Sequence, residues 1–480
     1  MSVLRRELIV NVSFLILANI LIKPYYIFFI ERNIQNQVGT AAWGFYFTLF
    51  SLSMLPQILL DLGTTSYTNK RISAERSELQ IVWRDTVWIK PLLVILFLVV
   101  FVCITWLMGY WYTYAKVILW ISLNQVLISG LLFFRAYMSG LGYFRLDSFF
   151  SIADKLIFIL LFTIGLSIGK VSTIDHFLWL QSISMAIPFV VGLFWVIRRV
   201  GQVIPTFEVG SSLKIIRASL PYAGIFLLMV LFCRMEPVWL DLLRKDGHEQ
   251  AGIYAAAYRL LDAANMMGFL FAGLLLPMFS FSISRKDSEA YQSLFDLAWR
   301  LMVGLSTLIS FSILSQHRYI MDLLYVDDHP AILHLVILNL IPFTINYLMS
   351  TFITAAGQIR TMNYFFLGSI FINVCLHVMF TPSMGAPGAA VVAGITQMCT
   401  SILLVYQIKK YTGLRMSTPH LSQLLGSVTI MIALYILLKQ LNGAPGFKLA
   451  LMSGLGGICL ILSGIIPTKS IWIMMKERSL

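Results

Sequence analysis

The sequence predicts an all-α, polytopic membrane protein, and three observations predict it. The 480-residue chain is 59% hydrophobic and 12% charged, with a mean hydropathy of +0.83, far from the make-up of a water-soluble domain. Its 34 Phe, 22 Met and 11 Trp are more apolar bulk than a globule of this size can hide. Apolar runs long enough to cross a bilayer recur along the whole chain, so neither half reads as soluble, and a soluble enzyme on one anchor is excluded.

A helix needs about 20 apolar residues to cross the hydrocarbon, and by that rule the chain holds about fourteen spans. The first, near 8–30, follows Arg5 and Arg6; it is longer than a signal-peptide core and lacks a small-residue cleavage site, so it is read as retained. Span two (42–62) ends at Asp61-Leu62-Gly63, and span three (87–109) opens on Lys90-Pro91. Spans four (115–138), five (149–169) and six (176–199) follow across short basic turns. The stretch Val209 to Arg217 mixes apolar and basic residues, which suits a short helix on the membrane surface. Span seven (216–240) contains Pro237, which permits a bend, and span eight covers 252–280. Spans nine to twelve lie near 297–316, 331–355, 363–381 and 387–408, and spans thirteen and fourteen near 421–440 and 448–467.

The net charge of +13 would suggest nucleic acid for a soluble protein; in a membrane its placement decides. With odd-to-even loops outside, basic residues divide about 22 to 8 in favour of the inner face, so both termini are expected in the cytoplasm and no nucleic acid is needed as a partner. The five cysteines fall in apolar runs without a CxxC or Cys/His cluster, so neither disulfides nor a metal are expected. Gly165 to Lys170 reads GLSIGK, one residue short of a Walker A loop and followed by Val171, so no ATP site or other cofactor is visible. No loop is large enough for a catalytic domain, and transport without enzymatic chemistry is the economical reading.

Self-similarity supplies the organisation. Gly39, Gly44 and Tyr46 before span two are echoed 208 residues on by Gly247, Gly252 and Tyr254 before span eight. Gly142 and Arg145, followed by Phe149-Phe150, are echoed 215 residues on by Gly357 and Arg360, followed by Tyr364-Phe365. Both offsets equal six spans, and an even number of crossings keeps both copies in one orientation. The expected organisation is two pseudo-symmetric six-helix lobes, 1–200 and 201–416, with two additional spans in 417–480. Two lobes around one site suit a carrier that rocks between inward-open and outward-open states.

The charges left inside spans are Lys23, Lys90, Asp154, Lys155, Arg234, Glu236, Arg259 and Asp262. Each costs about 2.5–3.5 kcal/mol at mid-helix, so each needs a partner or a wet cavity. Lys23, Arg234 and Arg259 fall at one level, roughly 10–12 Å below the outer ends of their spans, like a ring for an anion. Against that, Lys23 can snorkel outward, Arg259 and Asp262 are spaced to neutralise each other, and Arg234 and Glu236 point to different sides of one helix. Lys90 reads as an interface residue, and Lys155 lies near enough to the inner side to reach headgroups. Asp154 facing the cavity is a candidate proton or sodium site. Polar residues in spans, such as Asn19, Asn124, Gln125, Gln181, Asn265, Asn339, Asn373, His377 and Gln397, read mainly as glue between helices.

Three stretches resemble a known family: the G-x4-G-x-Y approach to span two with Asp61-Leu62-Gly63; Phe134-Arg135-Ala136 with Gly142 to Asp147; and GIYAAAYRLLD from Gly252 to Asp262, continuing to FAGLLLPMFS. In that order and spacing, over essentially the whole chain, they resemble the O-antigen and capsule type oligosaccharide flippases of the multidrug/oligosaccharidyl-lipid/polysaccharide (MOP) exporter superfamily. The resemblance implies export of a polyprenyl-pyrophosphate-linked oligosaccharide across the bacterial inner membrane for surface polysaccharide such as lipopolysaccharide, with membrane lipids and a coupling H+ or Na+ as the other partners. It also implies that Arg259 and Lys23 match cavity-lining basic residues, and a pyrophosphate would be drawn to such cations in a low dielectric. The expected substrate-binding residues are thus Arg259, Arg234, Lys23 and Asp262, and the expected coupling acids Asp154, Glu236 and Asp262. Many sugar flippases of this type have twelve spans, whereas fourteen is typical of lipid II flippases, so that activity and a drug/cation antiporter stand as alternatives. An enzyme acting on the same lipid would need an acidic pair such as Asp327-Asp328, which reads better as a solvated turn.

Overall fold

The computed structural model describes residues 21–22, 24–167, 173–201, 224, 227–326, 330–412, 414 and 418–466. Among the described residues there is no strand, and twelve helices are long and apolar enough to cross a membrane. They coincide with expected spans two to six and eight to fourteen; most of span one, the first part of span seven, the proposed surface helix, Lys23 and Asp327-Asp328 lie outside the described residues. The chain is a multi-pass, all-α membrane protein. Large apolar side chains face outward, among them Phe371 at 71% exposure and Ile402 at 69%, while serines, threonines and amides are buried. This inversion is what lipid as solvent demands: helices satisfy their own backbone and keep remaining polar groups against each other.

The chain divides into two compact units, Met1–Asp241 and Leu242–Leu480. In the first, a π-helical turn, Tyr26–Glu31, leads into α1 (Arg32–Val38), followed by α2 (Thr40–Gln57), α3 (Thr64–Ala74), α4 (Leu79–Val87), α5 (Ile89–Leu107), α6 (Trp111–Gly140), α7 (Phe144–Ser167) and α8 (Ile174–Val200). Between α2 and α3 the chain turns through Leu62 at φ 40 and Gly63 at φ 83 and continues along α6, with Ser53 against Gln125 and Asn69 against Ser139. Asp61 stabilises this turn by accepting from Gly63 N at 3.2 Å, Thr64 Oγ1 at 2.9 Å and Thr65 N at 3.1 Å. Lys90 was expected to reach the interface; instead its Nζ donates to Asp61 Oδ1 at 2.8 Å and Leu60 O at 3.2 Å, under the Phe133 ring. An open carboxylate at the end of the neighbouring span is a better partner for a lysine than a stretched path to water.

Trp83, Phe133, Phe134, Tyr137 and Val200 close the core at this end of the unit, where Tyr137 Oη meets Thr86 Oγ1 at 3.0 Å. At the other end, Tyr110 donates to Asp241 and Thr48 Oγ1 to Pro237 O at 3.3 Å. The helical run 227–233 breaks at Arg234 and Met235 before α9 (Glu236–Leu243). Pro237 has no N–H for the carbonyl one turn earlier and its ring crowds that carbonyl, so the expected bend is a full interruption.

The second unit contains α10 (Gly247–Ser284), α11 (Ser288–Ser315), α12 (His317–Leu324), α13 (Pro330–Leu338), α14 (Leu340–Ala355), α15 (Ile359–Met384), α16 (Ala386–Tyr411), α17 (Thr418–Gln440) and α18 (Pro445–Leu462). A polar strap ties the start of α10 to the α15–α16 turn: Arg244 Nη1 donates to Pro382 O at 2.8 Å, and Gln250 Oε1 accepts from Ala386 N at 2.9 Å. Arg244 also chelates Asp246 at 2.7 and 3.0 Å and holds that carboxyl below its usual range. α17 and α18 pack on α11 through Phe311, Met431, Met452, Leu460 and Ile465. The amides act as glue: Asn346 Nδ2 donates to Gln397 Oε1 at 2.8 Å, Asn124 Nδ2 to Gln181 Oε1 at 2.9 Å, and Gln125 Nε2 to Ser53 Oγ at 2.9 Å.

The two glycine turns of the 215-residue echo share one hydrogen-bond pattern. Gly142 has φ 85 and Gly357 φ 74. Tyr143 N bonds Met138 O at 2.8 Å and Gln358 N bonds Ile353 O at 3.1 Å, each a six-to-one closure of a helix C-terminus around a left-handed glycine. At the basic ends of the helices, cations stack on rings one turn away: Arg198 on Phe194 at 4.3 Å and Arg199 on Trp195 at 5.6 Å in the first unit, Arg285 on Phe281 at 4.1 Å in the second.

Candidate functional site in the first unit

Between the π-helical turn, α2, α6, α7 and α8 lies a cavity of about 240 Å³. Its charged lining is Glu31, Arg135, Asp154 and Lys155; Gln181 and Ser184 add polar groups, and Tyr26, Tyr46, Phe50, Phe150 and Phe158 add rings. α7 starts five residues before the apolar window, so Asp154 sits ten residues, roughly 15 Å, into its helix. Lys155 Nζ folds back onto the buried Asp154, at 2.9 and 3.2 Å from the two carboxylate oxygens. Arg135 is anchored across the turn by Asp147 Oδ1 at 2.7 Å. Gln181 donates to Tyr26 Oη at 3.3 Å while accepting from Asn124, so it is glue and lining at once.

Two cations and two carboxylates at membrane depth, among rings, make a polar chamber of balanced charge. The volume decides what it can take. Sites for whole organic ligands run to about 300–1,000 Å³, so this chamber suits a proton or small cation with water, or a single sugar ring, and not an entire oligosaccharide.

Of the six residues singled out from the sequence, the cavity contains Asp154 alone. Arg234 is half-buried at the break before α9, and Glu236 is 3% exposed in the first turn of α9, where the helix dipole favours a carboxylate. In the second unit, Arg259 is 6% exposed on α10 and Asp262 half-buried one turn further along. Lys23 lies outside the described residues. The sequence reading missed Glu31, Tyr26, Tyr46 and Arg135 as lining. Arg135 stands at the end of span four and Glu31 just past the apolar window of span one; the π-helical turn that aims this segment has no periodicity to reveal it.

Residues 8–283, more than half of the chain, match the polysaccharide biosynthesis protein family. The chain belongs to that family. Its fold is that of the MOP superfamily. An inward-facing multidrug resistance MATE transporter of that superfamily superposes with TM-score 0.63 at 14% identity, covering 81% of this chain and 96% of its own. A Vibrio cholerae MATE transporter gives TM-score 0.62 at 18% identity over 85% and 97%. The lipid II flippase MurJ, in an inward closed conformation, gives 0.53 at 14% identity over 98% and 100%. No curated protein matches significantly in sequence. For this family member, the resemblance first carried by three short motifs holds at the level of family and fold.

Proposed function

We propose that the protein is a flippase that moves a polyprenyl-pyrophosphate-linked oligosaccharide from the cytoplasmic to the outer leaflet of the bacterial inner membrane, by alternating access, for surface polysaccharide synthesis. The observation that carries this reading is membership of a polysaccharide biosynthesis family by a chain whose membrane-spanning fold is shared with transporters. Arg259, Arg234 and Lys23, with Asp262 as modulating partner, attract the anionic headgroup, since charge-assisted bonds to phosphate are strongest where water is scarce. Asp154 is the favoured coupling acid, because it lines a chamber of ion-sized volume beside its own counter-ion; Glu236 and Asp262 are the other candidates for H+ or Na+. The basic loops face the cytoplasm, together with both termini.

The deciding experiment is transport of a fluorescent polyprenyl-pyrophosphate oligosaccharide in vesicles reconstituted with the wild type or Arg259→Ala. The variant should insert normally and lose at least about tenfold in rate, the equivalent of about 1.4 kcal/mol of transition-state binding. Undiminished transport would remove Arg259 from the site. A lipid II flippase is the second reading, favoured by a shared fold that extends over 98% of this chain, the last two spans included. Offering lipid II to the same vesicles separates the two.

A further inference from the structure

The second unit has a groove of about 530 Å³ between α11, α14, α16 and α17, unrelated to the chamber above. Its walls are apolar. Along α16 they are Met398, Ile402 and Val405, spaced three or four residues apart on one face, opposite Ile345 on α14 and Leu421 on α17. Met398, Ile402 and Leu421 are 62%, 69% and 59% exposed, so the groove opens sideways toward lipid.

Its chemistry is polarised along its length. The next residue of the α16 stripe is Lys409, exposed at the basic end of the helix. The neighbouring Lys410 is held by Tyr406 Oη at 3.2 Å and by the Tyr406 and Tyr411 rings, which leaves Lys409 as the cation at the mouth. Asp296, the partner of the lining residue His420, is engaged by His420 Nε2 at 2.8 Å and by Gln292 at 2.9 Å. From Met398 to Lys409 is roughly 16 Å of helix, against roughly 15 Å for half the hydrocarbon thickness. The groove therefore matches one leaflet in length, from Lys409 at headgroup level to the apolar Met398 end near the midplane.

We propose that it holds one acyl chain of an anionic glycerophospholipid from the leaflet on the basic side, with the lipid phosphate against Lys409. The length match, the sideways opening and the exposed Lys409 in the lining at the basic end carry the assignment. This site needs no transport substrate and stands or falls apart from the proposed function.

The test is native mass spectrometry of the purified full chain titrated with phosphatidylglycerol or with phosphatidylcholine of the same acyl chains. The wild type should retain phosphatidylglycerol about fivefold better, as expected for one basic residue at an anionic headgroup. Lys409→Glu should abolish that preference, whereas Lys439→Glu at the far end of α17 should keep it. Ile402→Trp, which fills the groove, should lower retention of both lipids. A Lys409→Glu protein with unchanged preference, or equal loss in Lys439→Glu, would overturn the proposal. So would displacement of bound phosphatidylglycerol by stoichiometric polyprenyl monophosphate, which would assign the groove to an isoprenoid tail.

Discussion

Two half-buried lysines carry the residue-scale lesson. Lys90 and Lys155 both read as interface residues because a lysine stem is long enough to snorkel, yet both find a carboxylate. The partner of Lys90 is 29 residues away, across a turn whose path no local pattern reveals. Asp154 was legible for the opposite reason: an acid within an apolar run is rare enough to stand out alone. Asp61→Ala should lower Tm in detergent, since the turn loses its cap, about 1 kcal/mol, and Lys90 loses its counter-ion. Asp61→Ala with Lys90→Met should recover part of that loss; a double variant no better than Asp61→Ala would show that the cap alone matters. Asp154→Asn, which keeps an acceptor for Lys155 but removes its counter-ion, should lower Tm modestly while reducing transport driven by an imposed proton or sodium gradient at least about tenfold. Full gradient-driven transport in that variant would exclude Asp154 as the coupling acid.

At the scale of elements, hydropathy located the twelve described spans because lipid imposes a minimum apolar length, and it placed most of their starts too late because polar first turns precede the apolar window. Glycine spacing located the paired turns, and the structure supplies the reason: both close a helix with a left-handed residue. Substitution separates backbone strain from crowding. Gly357→Ala meets nothing within 4 Å, so its cost should be that of a positive φ alone, about 1–2 kcal/mol. A Cβ at Gly142 approaches Arg76 Nη2 to 3.1 Å, so Gly142→Ala should lower Tm further. Equal shifts by thermal denaturation would mean that Arg76 simply moves aside. The interruption before α9 was foreseen only as a bend, because a proline shows where a helix is weakened and not how far the chain departs.

For the whole molecule, composition alone gave the membrane and the count of basic residues gave a sidedness. The chamber and the groove were invisible, since each is assembled from helices distant in sequence and from faces that hydropathy averages away. Sidedness can be measured. Cysteines placed at Ser77 or Glu289 should resist a membrane-impermeant thiol reagent in intact spheroplasts, and cysteines at Tyr112, Lys245 or Asn442 should react. The reverse labelling would invert the proposed direction of export.

The ring-stacked arginines at the basic helix ends have a mechanical consequence. Each guanidinium is braced by an aromatic face one turn away, so these positions act as floats that hold a fixed level among the phosphates. When the bilayer thins, those ends keep their height and the far rim must absorb the mismatch by tilting. Activity should therefore respond to bilayer thickness, with the basic face as the fixed reference.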